Sequence, residues 1–218
     1  MAYFRCGASQ AAKEPYIYNT HHGTFNTMYI HKANTKIKCK VACPNSSTYS
    51  VVFGARNGNY QSHAFGFFNC FNGWRACLYR TGSETSSPFF DNTLQQSMIY
   101  TRPVIIEATG NTATVTAEDN PSEVLTITAS GTVDDGVSPL AIFATNNASS
   151  SSGYSPVDYG IGILLYWFEI YEDDVLKYRF IPAQDQTEYC LYDEVSGTYL
   201  HADSGNYICG VNVERRRT

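Results

Sequence analysis

The segment from Tyr166 to Leu200, YWFEIYEDDVLKYRFIPAQDQTEYCLYDEVSGTYL, leaves no room for a helix. Two apolar, aromatic-rich runs flank the acidic turn Glu172-Asp173-Asp174. Pro182-Ala183 then reads as a stop, and a second hairpin centres on Ser196-Gly197. That order predicts strand, tight turn, strand, loop, strand, turn, strand. Strict alternation places Leu164, Tyr166, Phe168 and Ile170 on one face of the first strand. Ile163, Leu165, Trp167, Glu169 and Tyr171 fall on the other. A strand apolar on both sides belongs inside a sheet that is covered on both faces.

The same period recurs upstream. Strands are predicted at Tyr16–Tyr18, Phe25–Ile30, Thr35–Val41 and Tyr49–Arg56, and TKIKCKV alternates polar with apolar almost perfectly. Its lysines on the outer face also deter edge-to-edge pairing. Asn72-Gly73 is the usual type I′ hairpin pair. A two-residue loop there sets Phe71 opposite Trp74, Cys70 opposite Arg75 and Phe68 opposite Cys77. Phe65, Phe67, Phe71, Trp74 and Leu78 then form a core face, while Arg75, Cys77 and Tyr79 share a mixed one. Three short strands follow at Pro103–Thr109, Ala113–Ala117 and Val124–Ala129, and another at Leu140–Ala144. NNASSSSGYS, Asn146 to Ser155, reads as an exposed flexible loop. Tyr occurs 17 times against 3 Met, and β-branched and aromatic side chains suit a pleated surface. The reading is all-β: a two-sheet antiparallel jelly-roll sandwich. With 218 residues it forms one domain, at 15–210, with a short leader at 1–14 and a basic tail at 211–218.

Charge narrows the partners. The net charge is −5, and Arg215-Arg216-Arg217 is the one basic run, so no face for nucleic acid is expected. The longest apolar stretch, Ile161 to Phe168, is too short for a membrane-spanning helix, and Met1-Ala-Tyr-Phe-Arg-Cys-Gly lacks a secretion signal's pattern. Seven cysteines at irregular spacing predict free buried thiols and synthesis in a reducing cytoplasm.

Four stretches, taken in order, resemble the concanavalin A-like, laminin-G-like jelly-roll domains of structural proteins from bacteriophages and prophages of gut bacteria. They are Phe25-Asn26-Thr27 with Asn34 to Val41 (NTKIKCKV); Val52 to Arg56 (VFGAR); Phe168 to Ala183; and Leu191 to Tyr199. Met28 stands where that family commonly has Gly, and His31 where it often has Pro, so the first turn is expected to differ in shape. The resemblance implies a virion component, a capsid decoration or tail-fibre module that contacts other virion proteins and forms a homo-oligomer. It also implies adhesion to host or mucosal glycans, with a stand-alone lectin as the alternative. Calcium enters only through it, with Asp91-Asn92 and Asp134-Asp135 as candidates that lack EF-hand spacing.

Related jelly rolls include glycosidases, whose E-x-D-x-E strand finds its nearest counterpart in Glu169 to Asp173. There Tyr171 replaces the middle acid and Asp173 falls in a turn, so no catalytic array is expected. Glu172, Asp173 and Asp174 read as turn residues. His21-His22 lacks a third ligand, and no metal site is assigned. Sugar binding needs an aromatic platform beside a few fixed polar groups. Arg75 and Tyr79 on one hairpin, and Trp167 and Glu169 on the late strand, are the candidates.

Overall fold

The computed structural model describes residues 14–43, 50–57, 63–69, 75–82, 89–91, 102–129, 134–157, 160–203 and 208–213, with the backbone alone at 68–69, 75–82 and 89–91. Eighteen strands and no helix lie among them. They build the all-β, two-sheet jelly-roll sandwich.

One sheet has ten strands. Its centre is β3 (Thr35–Ala42), where Ile37, Cys39 and Val41 are fully buried. On one side of β3 come β8 (Val104–Thr109), β9 (Thr112–Ala117) and β10 (Val124–Thr128). On the other lie β14 (Leu164–Glu172), β15 (Val175–Asp185), β16 (Glu188–Asp193) and β17 (Thr198–Leu200). β1 (Tyr16–Asn19) pairs with the start of β14 and with β18 (Ile208–Val211), whose Val211 lies opposite Tyr16.

The second sheet contains β2 (Phe25–Ile30), β4 (Ser50–Ala55), β5 (Ala64–Asn69), β6 (Arg75–Gly82), β7 (Phe89–Asp91), β11 (Pro139–Ile142), β12 (Thr145–Asn146) and β13 (Pro156–Val157). Between the sheets Phe53 meets Phe168 edge-on at 5.6 Å, and within its own sheet it packs tilted against Phe65 at 5.8 Å. Phe25, Phe67 and Phe143 are also fully buried. Each such ring contributes roughly 1.5–3 kcal/mol by leaving water.

Turn chemistry sets the late block. Asp173 and Asp174 both take positive φ, 51° and 60°, between the paired Glu172 and Val175. Two successive left-handed residues are the type I′ signature, so these acids are turn residues as expected. Their carboxylates accept from Asn34 Nδ2 and from Lys36 Nζ, each at 2.5 Å. At the β16–β17 turn, Asp193 accepts from the Arg179, Val195 and Ser196 amides and from Ser196 Oγ.

Four expectations are corrected. Pro182 does not stop the strand; it pairs with Leu191 inside β15. The last β15 residue bridged to β14 is Phe180, so beyond it the proline's missing N–H leaves no ladder bond open on that side. In β14 the register against β3 shifts between Leu165 and Trp167, which inserts Tyr166 as an extra residue. The alternation is reset there, and Ile163 and Leu165 join Phe168 and Ile170 on the buried face.

The β5–β6 hairpin pairs Phe68 with Leu78 and Asn69 with Cys77, one residue away from the register expected for a two-residue Asn72-Gly73 loop. That turn lies outside the described residues. The one-residue slip changes which β5 residue each β6 residue opposes, so that Tyr79 lies opposite Phe67. Finally, Asn146 to Ser155 is not a loose loop throughout. Asn146 is fully buried; its Nδ2 donates to Pro139 O and Gly153 O, and its Oδ1 accepts from Ala148 N and Ser155 N.

Met28 adopts φ 59° where β2 bulges against β11, and its side chain is 67% exposed. A conformation that suits glycine is thus occupied by methionine.

Candidate functional site

The outer face of the ten-stranded sheet gathers the chemistry. Because β14 resumes its alternation after Tyr166, Trp167, Glu169 and Tyr171 lie on that face, half-buried or nearly buried. Register then aligns them with residues of five neighbouring strands.

The row through Glu169 is a ladder of alternating charge. Glu107 of β8 lies opposite Lys38 of β3, which lies opposite Glu169. Glu169 lies opposite Arg179 of β15. Lys38 Nζ approaches Glu107 at 3.7 Å, Arg179 Nη1 approaches Glu169 Oε1 at 3.3 Å, and Arg179 Nε reaches Glu194 at 3.1 Å. Tyr171 donates its hydroxyl to Glu169 Oε2 at 2.7 Å. Burial first, then this bond to a carboxylate, pushes the Tyr171 phenol up to about 12. Lys36 lies over the same ring at 4.8 Å. Glu169 therefore commits both oxygens to its own sheet, and its direct effect is to fix Arg179 and Tyr171.

The row through Trp167 is apolar and aromatic. Trp167 and Ile181 are each one residue beyond the Phe168–Phe180 pair. Ile181 pairs with Tyr192, and Tyr192 with Tyr199. The last two rings meet edge-on at 5.2 Å, and His201 lies 6.3 Å beyond Tyr199, flanked by Asp185 at 3.3 Å and Glu188 at 3.5 Å.

Toward β1, Lys40 lies opposite Trp167 with a side chain only 6% exposed. Its ammonium contacts Glu14 and Glu118 and lies 4.7 Å over the Tyr166 ring, which Tyr16 packs at 5.6 Å. Burial alone pulls the Lys40 amine down, but the two carboxylates outweigh it and the amine titrates above its ordinary value. Burial also pushes Tyr166 up to about 12.

Trp167 and Glu169 thus stand side by side, as the sequence suggests. Arg75 and Tyr79 stand on β6 of the other sheet, where Tyr79 pairs with the core residue Phe67. The four residues are thus divided between the two sheets. Sequence reasoning missed Ile181, Tyr192, Tyr199 and Arg179. Their signal was the alternation of β15 and β16, which an early stop at Pro182 conceals. Among the calcium candidates, Asp135 accepts the Ala33 amide at 2.9 Å and lies 3.7 Å from Lys32 Nζ. His21 and His22 pack ring to ring at 3.7 Å, and no group of three metal-ligating side chains occurs among the described residues.

No family model and no curated protein matches the chain. Among solved structures it is similar to the mouse laminin alpha1 chain, domains LG4-5, with a TM-score of 0.44 and 10% sequence identity. The match covers 72% of this chain and 40% of that one, less than half of its length.

Proposed function

We propose that this chain is a non-enzymatic carbohydrate-binding jelly-roll module, carried as a structural or decoration component of a bacteriophage virion. One observation carries the binding reading: Ile181, Tyr192 and Tyr199 pair in a row across three strands, with Trp167 of a fourth strand one residue past the Phe168–Phe180 pair, beside a ladder of alternating charge. Strands lie about 4.8 Å apart, so the row spans roughly 15 Å. An apolar strip of that length suits the C–H faces of a short linear saccharide, while Arg179, fixed by Glu169, offers donors to hydroxyls. Opposite charges already paired along the sheet favour a neutral ligand over a polyanion. The virion assignment is supported by the sequence resemblance, as is display of the module as a homo-oligomer attached through the leader or the Arg tail.

A glycan array probed with the purified protein tests binding. Trp167→Ala and Tyr192→Ala are each expected to weaken any hit at least tenfold, and Arg179→Ala less. Retention of full affinity in both aromatic variants refutes the row as the site. Mass spectrometry of purified virions tests display; a chain absent from particles but active on the array is a stand-alone lectin. Reducing-sugar release abolished by Glu169→Gln would overturn the non-enzymatic reading.

A further inference from the structure

His31 follows β2 and is completely buried, and among the described residues neither ring nitrogen makes a hydrogen bond of good geometry, although the Asp134 backbone favours a proton on the ring. Buried polar atoms are ordinarily satisfied, so such an imidazole is a point of stored instability. One face of the ring stacks on Phe65 at 5.1 Å and 25°. Gly136 packs so closely that a Cβ there would come within 2.5 Å of the ring, and its amide donates to His31 O at 2.7 Å. The imidazole is therefore clamped between β5 and the segment leading to β11.

The surrounding bonds tie three segments together at this end of the sandwich. Asp135 accepts the Ala33 amide and lies 3.7 Å from Lys32 Nζ, while its backbone oxygen contacts His63 Nδ1 at 2.8 Å. The ionisable groups around the ring are thus Asp134 and Asp135 before β11, Lys32 on its own turn and His63 before β5. Asp135 and the Asp134 backbone favour a proton on the ring, and His63 and Lys32 oppose it. Burial outweighs all of them and brings the imidazole down to about 4.

We propose that His31 is an acid-released latch: neutral and clamped, it holds residues 31–34 and 134–136 against β5, and protonation frees both segments. A charged imidazole cannot remain unpaired between Phe65 and Gly136, so it must turn out to water. In the released state it regains the ordinary value of 6.5, and each proton bound there favours release. Acidification from pH 7 to pH 5 therefore enriches the released form by about twentyfold.

Amide hydrogen exchange, corrected for intrinsic rates, tests this on the intact chain. The Ala33 and Gly136 amides are expected to lose about twentyfold in protection between pH 7 and pH 5, while Ile37 and Phe168 in the core keep theirs. His31→Phe abolishes the pH dependence at those two amides. Equal loss at Ile37 and Phe168 means global unfolding and overturns the latch. So does an unchanged pH dependence in His31→Phe. Should that variant fail to fold, NMR titration of His31 in the unmodified chain decides. A midpoint well below 6 supports the latch, and an ordinary midpoint refutes it.

Discussion

Lys40→Met tests whether the outer face is held together by its buried cation. Lys40 is 6% exposed at its side chain, while its partners Glu14 and Glu118 are each 42% exposed. Methionine keeps the apolar stem against Tyr166 but leaves two carboxylates converging on an empty charge position. Breaking a fully buried ion pair costs about 3–5 kcal/mol, whereas an exposed pair contributes about 0–1 kcal/mol. A buried cation between half-exposed acids falls between these limits, so the loss is about 2–3 kcal/mol. That figure includes the share, near 1 kcal/mol, from the ammonium over the Tyr166 ring. Urea unfolding at pH 7, followed by circular dichroism with a common m-value, measures the loss. The double variant Lys40→Met/Glu118→Gln recovers about half of it, because a single carboxylate no longer faces a like charge. A Lys40→Met loss below 1 kcal/mol, or a Glu118→Gln effect that adds to it, refutes the clamp.

Gly160→Ala should prevent folding, read as loss of the cooperative unfolding transition, because a Cβ there lies 2.0 Å from Val51 O and backbone cannot yield as a side-chain tip can. Met28→Gly relieves a left-handed residue, worth about 1 kcal/mol, but loses about half of that to unfolded-state entropy. The net gain of a few tenths of a kcal/mol should contrast with a loss near 1 kcal/mol in Met28→Val, both read by urea unfolding. Burial pushes the Cys39 thiol well up and the Cys190 thiol to about 11. Both should resist iodoacetamide at pH 8 until the chain unfolds, as peptide mass mapping checks.

Legibility followed locality. β3 was readable because every lysine and every apolar residue obeys one period, with no bulge between them. β14 was readable as a strand but not in its faces, because nothing in LLYWFEIYE announces that Tyr166 is extra. That insertion is decided by pairing with Lys40 and Val41, more than a hundred residues upstream. Pro182 misled for a related reason: whether a proline breaks a strand depends on which neighbour runs beside it. Asn146 looks like loop composition, and only its tertiary partners Pro139, Gly153 and Ser155 reveal a buried hub. Trp167 and Glu169 could be singled out from one strand, but the row and the ladder are properties of six strands together.

β1 and β18 lie side by side and antiparallel, with Tyr16 opposite Val211. Paired backbones of this kind are about 5 Å apart. The start of β1 and the end of β18 therefore share one corner, and a peptide of a few residues can join Tyr16 to Val211. The Asp173-Asp174 hairpin, exposed and remote in sequence from both ends, then offers a place to reopen the chain. The domain has the geometry of a cassette: it fits into a surface loop of a carrier protein, or tolerates circular permutation, without moving any strand of the aromatic row.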